Sequence, residues 1–182
     1  MERWQDLSCK NVVDNPYMLI REHRMVKPGG KTIEFLMWHQ GDGTVIVPVT
    51  ADKKFILIKS YKPAIDDFIV EFPGGGIDKK ETPEQTAKRE LYEETGYLSD
   101  KFTKLGELTE NPSKIKGVVH VMLAETPHEA EPNPSIDYKR TEGIEVIIVS
   151  GEELVRKISN HEMWSSSSVA AAFLALKYLD SL

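Results

Sequence analysis

A chain of 182 residues with 40% hydrophobic and 29% charged residues has the composition of a globular protein that can bury a core. Its formal net charge of −6 disfavours a nucleic-acid partner, because an acidic surface repels a polyphosphate strand. The single cysteine, Cys9, excludes an intramolecular disulfide. No segment has the apolar length of a membrane span, and residues 1–6 lack the apolar core of a signal peptide. We therefore expect a cytoplasmic protein that does not contact a membrane.

Strands are predicted along most of the chain. Short apolar runs bounded by glycine, proline and charged turn residues are typical of strands. These runs cover residues 17–20, 32–38, 44–49, 55–58, 68–72, 118–123 and 144–149. The first two flank the turn sequence Lys27-Pro28-Gly29-Gly30, so residues 17–39 are expected to form a β-hairpin.

Three helices are predicted from capping signals and apolar patterns. The first extends from a capping box formed by Thr82 and Gln85 to a C-terminal cap at Gly96. The second begins after Ser150, and the third covers about residues 167–180. Strands mixed with helices, without a regular alternation, predict an α/β protein of the α+β type in which helices pack on a mixed sheet.

The strongest chemical signal lies in the first helix. Glu90 and Glu94 are four residues apart and therefore share one helix face, with Glu93 beside them. A solvated acidic face is the ordinary explanation, but Ala87 and Leu91 give this helix an apolar face that packs on a core. The carboxylates also lie at the C-terminal end, where the helix dipole disfavours anions. Divalent cations, which prefer oxygen ligands, would explain the cluster.

The segment around this helix resembles the Nudix box, glycine–x5–glutamate–x7–Arg-Glu-U-x-Glu-Glu-x-Gly-U, where U is a bulky apolar residue. The fixed positions are matched by Gly75, Glu81, Arg89, Glu90, Glu93, Glu94 and Gly96. Leu91 fits the first U, whereas Tyr97 stands where an aliphatic residue is more usual. The resemblance implies an α/β/α sandwich around a mixed sheet.

The resemblance also implies metal-dependent hydrolysis of a diphosphate. The implied ligands of Mg²⁺ or Mn²⁺ are the carboxylates of Glu90 and Glu94, assisted by Glu93, and the backbone carbonyl of Gly74. Arg89 and Glu81 would orient the ligand carboxylates. The reaction would be attack of a metal-activated water on one phosphorus of the diphosphate.

Residues before the helix resemble the branch of the family that cleaves ADP-ribose and nucleoside diphosphate sugars. The stretches Ile58–Pro63 and Val70–Gly75 carry this resemblance. The branch usually has arginine where this chain has Lys62, so Lys62 is a candidate for binding the substrate phosphate. Lysine keeps the charge but loses bidentate phosphate binding. Pro112 resembles a substrate-site proline of the ADP-ribose subgroup, although the turn at residues 111–113 explains it equally well.

The N-terminal β-hairpin resembles an arm that is exchanged between subunits in this branch. Residues 1–40 are therefore expected to form a dimerisation and base-binding arm, and residues 41–182 the Nudix catalytic domain. Tyr17 and Phe35 are candidates for stacking on a nucleobase, with ordinary core packing as the alternative. An exchanged arm implies a homodimer with composite sites.

The general base is not part of the Nudix box, and in this branch it commonly comes from a loop before a late strand. Residues 125–143 are rich in proline, glutamate and polar residues, as a mobile loop is. Glu142 is the candidate base because it stands at the junction of loop and strand. Glu145, Glu129 and Glu131 are weaker alternatives.

We therefore expect a hydrolase that cleaves the pyrophosphate of ADP-ribose, GDP-mannose or a similar compound to a nucleoside monophosphate and a sugar phosphate. A Nudix enzyme for dinucleoside polyphosphates or oxidised nucleotides is one alternative. A Nudix-like module that binds a nucleotide without cleaving it is another. The complete set of Glu90, Glu93 and Glu94 argues against such a module, which has no need of a metal cluster.

Overall fold

The computed structural model describes residues 1–130 and 143–180. The strands are β1 (Gln5–Asn15), β2 (Met18–Val26), β3 (Thr32–His39), β4 (Gly43–Val49), β5 (Phe55–Lys62), β6 (Asp67–Glu71), β7 (Gly74–Gly76), β8 (Tyr97–Leu98), β9 (Lys101–Leu108), β10 (Ile115–Lys116), β11 (Val119–Glu125), β12 (His128–Glu129) and β13 (Glu145–Val149). The helices are α1 (Pro83–Thr95), α2 (Gly151–Ser159) and α3 (Ser166–Leu179). Within the described residues, none of the helices is long and apolar enough to cross a membrane.

The elements fall into two compact units, which are described separately. The first consists of residues 1–41 and 109–118, and the second of residues 42–108 and 119–182. The second unit is built on a seven-stranded sheet in the order β13-β5-β4-β11-β9, with β6 paired to β5 and β7 paired to β4. Strands β4 and β11 run parallel and the other pairs are antiparallel, so the sheet is mixed, as the sequence predicts.

Helices cover both faces of this sheet, because strand side chains alternate between two apolar faces. The core on the α2–α3 face includes Val47, Leu57, Leu123, Leu154, Ala171, Ala172 and Ala175. The core on the α1 face consists of Ile46, Ala87, Leu91, Met122 and Ala124. Full burial of a leucine-sized side chain contributes about 1.5–3 kcal/mol, so these contacts fix α1 on the sheet. The second unit is therefore the α/β/α sandwich that the sequence predicts.

Local signals determine where the helices begin and end. The Thr82 hydroxyl accepts a hydrogen bond from the Gln85 N–H at 3.2 Å, and the Gln85 side chain accepts one from the Thr82 N–H at 2.8 Å. Gly96 ends α1 in a left-handed conformation with φ of 75°, which favours glycine. Ser150 and Glu153 form the second predicted capping box at the start of α2.

The first unit is a four-stranded sheet in the order β1-β2-β3-β10. The predicted hairpin is present as β2 and β3, which pair antiparallel. Strand β1 is not predicted from the sequence, because most of its eleven residues are exposed and the strand lacks an alternating apolar pattern. The unit also includes residues 109–118, which lie outside the arm of residues 1–40 expected from the sequence.

A chain of polar contacts links the first three strands. His23 Nδ1 lies 2.7 Å from Asp6 Oδ2, and His23 Nε2 lies 3.0 Å from His39 Nε2. The two histidines are 16 residues apart in the sequence and are brought together by strand pairing. Since Asp6 is on β1, His23 on β2 and His39 on β3, the contacts connect the three strands through side chains as well as backbone.

Candidate active site

The glycine turn and the C-terminal end of α1 meet through a direct hydrogen bond. Strand β7 pairs with the beginning of β4, with Gly74 opposite Val45 and Gly75 opposite Thr44. The Gly74 N–H donates to Glu94 Oε2 at 2.8 Å. Two predicted metal-binding residues that are 20 positions apart in the sequence are thereby brought into contact.

The Glu90 carboxylate lies against the α-carbon of Gly75. Glu90 is only 4% exposed, although it is a glutamate on a helix. A Cβ at position 75 would overlap Glu90 Oε1 and come within 2.5 Å of its Cδ. Glycine is therefore required at position 75 by the close approach of a side chain, and the backbone there is not left-handed.

Arg89 contacts three carboxylates around the helix. Its Nε and Nη2 donate to the two oxygens of Glu81 at 3.0 and 2.9 Å, in a bidentate arrangement. Its Nη1 donates to Glu90 Oε1 at 2.6 Å and to Glu93 Oε2 at 3.2 Å. Hydrogen bonds lower the pKa of Glu81 to about 2, with the largest effect from Arg89 and a smaller one from the Thr86 hydroxyl. Glu81 therefore remains ionised and holds the guanidinium beside the ligand candidates.

Glu94 lies in an environment that disfavours its negative charge. Burial raises the pKa of Glu94 from 4.5 to about 7. The negative charges of Glu90 and Glu71 also raise this pKa, whereas the hydrogen bond from Gly74 and the charge of Lys62 lower it. A divalent cation would supply the positive charge that favours the ionised form of such a carboxylate. The donor set therefore fits a hard divalent ion with oxygen ligands.

The side chains are not arranged as a ready-made cage. Within residues 1–130 and 143–180, no group of three histidine, cysteine, aspartate or glutamate side chains is positioned to hold an ion. Glu90 and Glu93 both face Arg89 Nη1, whereas Glu94 accepts from the Gly74 N–H. Arg89 Nη1 contacts one oxygen of each of the two carboxylates, so joint coordination of one ion by all three glutamates requires a change in their side-chain positions.

Glu71 is a residue of the site that the sequence analysis missed. Its carboxylate forms an ion pair with Lys62 and accepts a hydrogen bond from the Ser60 hydroxyl at 3.1 Å. Both Lys62 and Glu71 influence the pKa of Glu94, so the predicted phosphate-binding lysine lies near the carboxylate cluster. The signal in the sequence was a glutamate at the end of an apolar strand, directly before the glycine turn.

The two predicted base-binding aromatics lie in the first unit and are not together within one chain. Tyr17 is 93% exposed in the turn between β1 and β2. Phe35 pairs with His23 of β2. His23 is six residues beyond Tyr17, so Tyr17 and Phe35 are separated by roughly 20 Å along the strand direction. The Phe35 ring instead makes an edge contact with Trp4, with a centroid separation of 6.2 Å, and Lys114 Nζ lies 4.6 Å from its centroid.

Pro112 lies in an exposed turn of the first unit. The side-chain oxygen of Asn111 accepts a hydrogen bond from the Ser113 N–H at 3.2 Å. The backbone oxygen of Asn111 accepts bonds from the N–H groups of Lys114 and Ile115. These contacts account for the turn itself.

The candidate general bases have different environments. Glu142 and Glu131 lie outside the described residues. Glu129 accepts a hydrogen bond from the Tyr97 hydroxyl at 3.0 Å, which gives a reason for tyrosine at the last position of the box. The register of β13 with β5 places Glu145 on the sheet face that α2 and α3 cover, opposite to α1. Glu145 therefore does not face the carboxylate cluster.

An α/β/α sandwich with an arginine-bound glutamate cluster beside a glycine turn is the fold and site of a Nudix protein. Residues 40–171 match the model of the NUDIX domain, and the chain therefore belongs to the Nudix family. The predicted fold and family are confirmed.

Relatives and a solved structure agree with this assignment. The chain is 32% identical over 151 residues to the ADP-ribose pyrophosphatase of Bacillus subtilis (strain 168), a match covering 82% of this chain and 80% of that protein. It is 26% identical over 152 residues to the methanol dehydrogenase activator of Bacillus methanolicus, covering 84% and 79%. A crystal structure of an ADP compounds hydrolase matches with a TM-score of 0.84 and 19% identity, covering 100% of this chain and 96% of that chain. The resemblance to the ADP-ribose branch is confirmed.

Proposed function

We propose that this Nudix protein hydrolyses the pyrophosphate of nucleoside diphosphate sugars, with ADP-ribose as the first substrate and GDP-mannose as the next. The products are a nucleoside monophosphate and a sugar phosphate. The observation that carries the proposal is the partly buried Glu94, with a pKa raised to about 7, beside Glu90 and the Gly74 turn. The substrate class is supported by the similarity to a protein named ADP-ribose pyrophosphatase.

The proposed metal site consists of oxygen donors from the glycine turn and α1. Its ligands are the carboxylates of Glu90, Glu93 and Glu94 and the backbone carbonyl of Gly74. We propose Mg²⁺ as the working ion and Mn²⁺ as a substitute, because both prefer oxygen donors. When bound, the ion supplies an activated water and neutralises charge that develops on the phosphate oxygens.

Residues of the chain orient the ligands and the substrate. Arg89, fixed by its bidentate contact with Glu81, determines the directions in which Glu90 and Glu93 point. Lys62 provides a point charge for a phosphate oxygen near the cluster.

The proposed general base is Glu142, which accepts the proton of the attacking water. This role rests on the sequence, because Glu142 lies outside the described residues. The role requires an ionised carboxylate within about 3 Å of that water in the complex with substrate.

We further propose that residues 1–40 are the dimerisation and base-binding arm of a cytoplasmic homodimer that does not bind nucleic acid. The first unit exposes the apolar side chains of Trp4, Leu7, Val12, Tyr17 and Leu36. Exposed apolar surface of this kind is typical of an interface. In such a dimer, Tyr17 of one subunit and Phe35 of the other would bind one base. The single cysteine supports a reducing compartment, and the net charge of −6 argues against nucleic acid.

The activity is tested by product analysis on ADP-ribose, GDP-mannose, UDP-glucose, a dinucleoside polyphosphate and nucleoside triphosphates, first with Mg²⁺ and then with EDTA. Metal-dependent release of a nucleoside monophosphate and a sugar phosphate is expected, with Glu94→Gln as the inactive control. Cleavage of another compound alone would place the enzyme in a different substrate class. Calorimetric binding without cleavage would favour a binding module. Light scattering tests the dimer, which requires twice the chain mass of 20.6 kDa.

A further inference from the structure

Two buried polar atoms on the second unit have no hydrogen-bond partner within the described part of the chain. They are Thr44 Oγ1 on β4 and His120 Nδ1 on β11. Thr44 is 3% exposed and the side chain of His120 is 13% exposed. Native proteins rarely leave buried polar side-chain atoms unsatisfied, so this pair requires an explanation.

The strand register places the two residues side by side. Thr44 is opposite His120 in the parallel pair of β4 and β11. On its other side Thr44 is opposite Gly75, and His120 is opposite Glu107. Opposite residues on neighbouring strands point to the same face, and the strands are about 4.8 Å apart. Gly75, Thr44, His120 and Glu107 therefore form one row across four strands.

This row faces α1 and begins beneath Glu90. Ile46 and Met122, two residues beyond Thr44 and His120, belong to the core that α1 covers. At the β7 end of the row, the Glu90 carboxylate lies over the α-carbon of Gly75. Thr44 is therefore about 4.8 Å, the distance between neighbouring strands, from Gly75, over which the carboxylate of the proposed ligand Glu90 lies.

Glu107 does not satisfy His120. Glu107 Oε1 lies 3.4 Å from His120 Nδ1, but without hydrogen-bond geometry, and the same oxygen accepts from Lys104 Nζ at 2.6 Å. The lysine bond is the main cause of the lowered pKa of Glu107, so this carboxylate remains ionised and paired with Lys104. His120 Nδ1 still needs a partner of good geometry.

We propose that Thr44 Oγ1 and His120 Nδ1 hold one ordered water beneath α1, and that this water supports the Glu90 carboxylate. A water has two donors and two acceptors, so it satisfies both atoms and still donates to a carboxylate oxygen. Thr44 and His120 are then positioning residues that act through Glu90. The role of Glu90 as a metal ligand rests on the proposed function, whereas the water site does not.

The direct test is a high-resolution crystal structure of the full chain, together with the ¹⁵N spectrum of the His120 imidazole. We expect a water about 3 Å from Thr44 Oγ1, from His120 Nδ1 and from a Glu90 oxygen. The Nδ1 resonance should have the chemical shift of a hydrogen-bonded nitrogen and should move in Thr44→Val. A direct bond between the Thr44 hydroxyl and His120, with no water, would overturn the proposal.

Matched substitutions separate positioning from packing. Thr44→Val and His120→Leu remove the polar atoms, whereas Thr44→Ser and His120→Asn keep one near the same place. The first pair should weaken Mn²⁺ binding, measured by EPR, by about 10-fold, as loss of support behind a metal ligand does. The second pair should restore most of the affinity.

Thr103→Val is the control. Thr103 is opposite Leu123, which belongs to the core on the other face of the sheet, and its hydroxyl donates to Glu125 Oε1. The substitution therefore removes a strand hydroxyl on the face away from Glu90. Mn²⁺ affinity should be unchanged in this variant.

Thermal unfolding in EDTA provides a readout that does not depend on the metal. If one water serves both atoms, the changes in Tm caused by Thr44→Val and His120→Leu will not add in the double variant. If the site is dry, each substitution removes an unsatisfied group and raises Tm, which would refute the water. Failure of the wild-type enzyme to cleave any substrate would refute the proposed function and leave these structural readouts unchanged.

Discussion

Glu94→Gln is expected to abolish turnover and, in the presence of EDTA, to make the protein more stable at pH 8. Burial raises the pKa of Glu94 from 4.5 to about 7, so its ionised form is unfavourable in the folded chain. Glutamine has nearly the same shape and no charge. Its side-chain oxygen can still accept the hydrogen bond from Gly74 that Glu94 accepts at 2.8 Å.

The size of the stability change follows from the pKa of Glu94 in the unfolded and in the folded chain. Below pH 4.5 both the folded and unfolded chains hold the proton of Glu94, and its stabilising contribution is fully present. Between pH 4.5 and about 7 the unfolded chain releases it first, so the free energy of unfolding falls by up to about 1.4 kcal/mol per pH unit. The whole interval of about 2.5 pKa units corresponds to at most about 3.4 kcal/mol, or roughly 7–14 °C in Tm for a domain of this size.

The assay is thermal unfolding of both proteins from pH 5 to pH 8, in EDTA and then with saturating Mg²⁺. In EDTA the two melting temperatures should nearly coincide at pH 5, with the variant several degrees higher at pH 8. Mg²⁺ should reverse the order, because it stabilises only a chain that binds it. Glu84→Gln, on an exposed residue of the same helix, is the control and should show no such pH dependence. A variant less stable than the wild type at pH 8 in EDTA would show that burial does not raise the pKa of Glu94.

Substitutions at four further residues test the rest of the site. Gly75→Ala should lower turnover at least about 10-fold, because the new Cβ displaces Glu90, and unchanged Mn²⁺ affinity would contradict that contact. Arg89→Lys keeps the charge but loses the bidentate fork, so kcat should fall by about 10–100-fold, and a wild-type kcat would show that orientation by Arg89 is unimportant. Lys62→Ala should raise KM for the sugar nucleotide with little change in kcat, and Lys62→Arg should restore KM; equal KM values in all three proteins would exclude a phosphate contact. Glu142→Gln should lower kcat by about 10²–10⁴-fold with substrate binding retained, whereas normal turnover would place the base elsewhere in residues 125–145.

The carboxylate cluster was predictable because its signals are local. The spacing of Glu90 and Glu94 places them on one helix face, and the capping box at Thr82 and the cap at Gly96 determine where that helix begins and ends. Short apolar runs, such as residues 44–49 and 55–58, likewise predicted buried strands of the sheet. These patterns depend on residues at most a few positions apart, and no long-range contact is needed to recognise them.

The remaining features depend on contacts between distant segments. The pairing of Glu71 with Lys62 requires the antiparallel register of β5 and β6, and the row from Gly75 to Glu107 requires four strands in a particular order. The register of β2 with β3 also keeps Tyr17 and Phe35 apart, and their positions in the sequence do not show this separation. The polar strand β1 is held by its partner β2 and not by an apolar pattern of its own.

The parallel pairing of β4 with β11 has a consequence for how the chain folds. Gly43 and Val119 pair although they are 76 residues apart (119 − 43), and closing a loop of that length costs about 4 kcal/mol in its length-dependent part alone. During synthesis at about 5–20 residues per second, β4 therefore waits several seconds for this partner. Six of its seven residues are buried in the finished fold, so an apolar strand with an open edge is present throughout that interval. We therefore expect newly made chains to be vulnerable to aggregation through β4 until β11 has been synthesised.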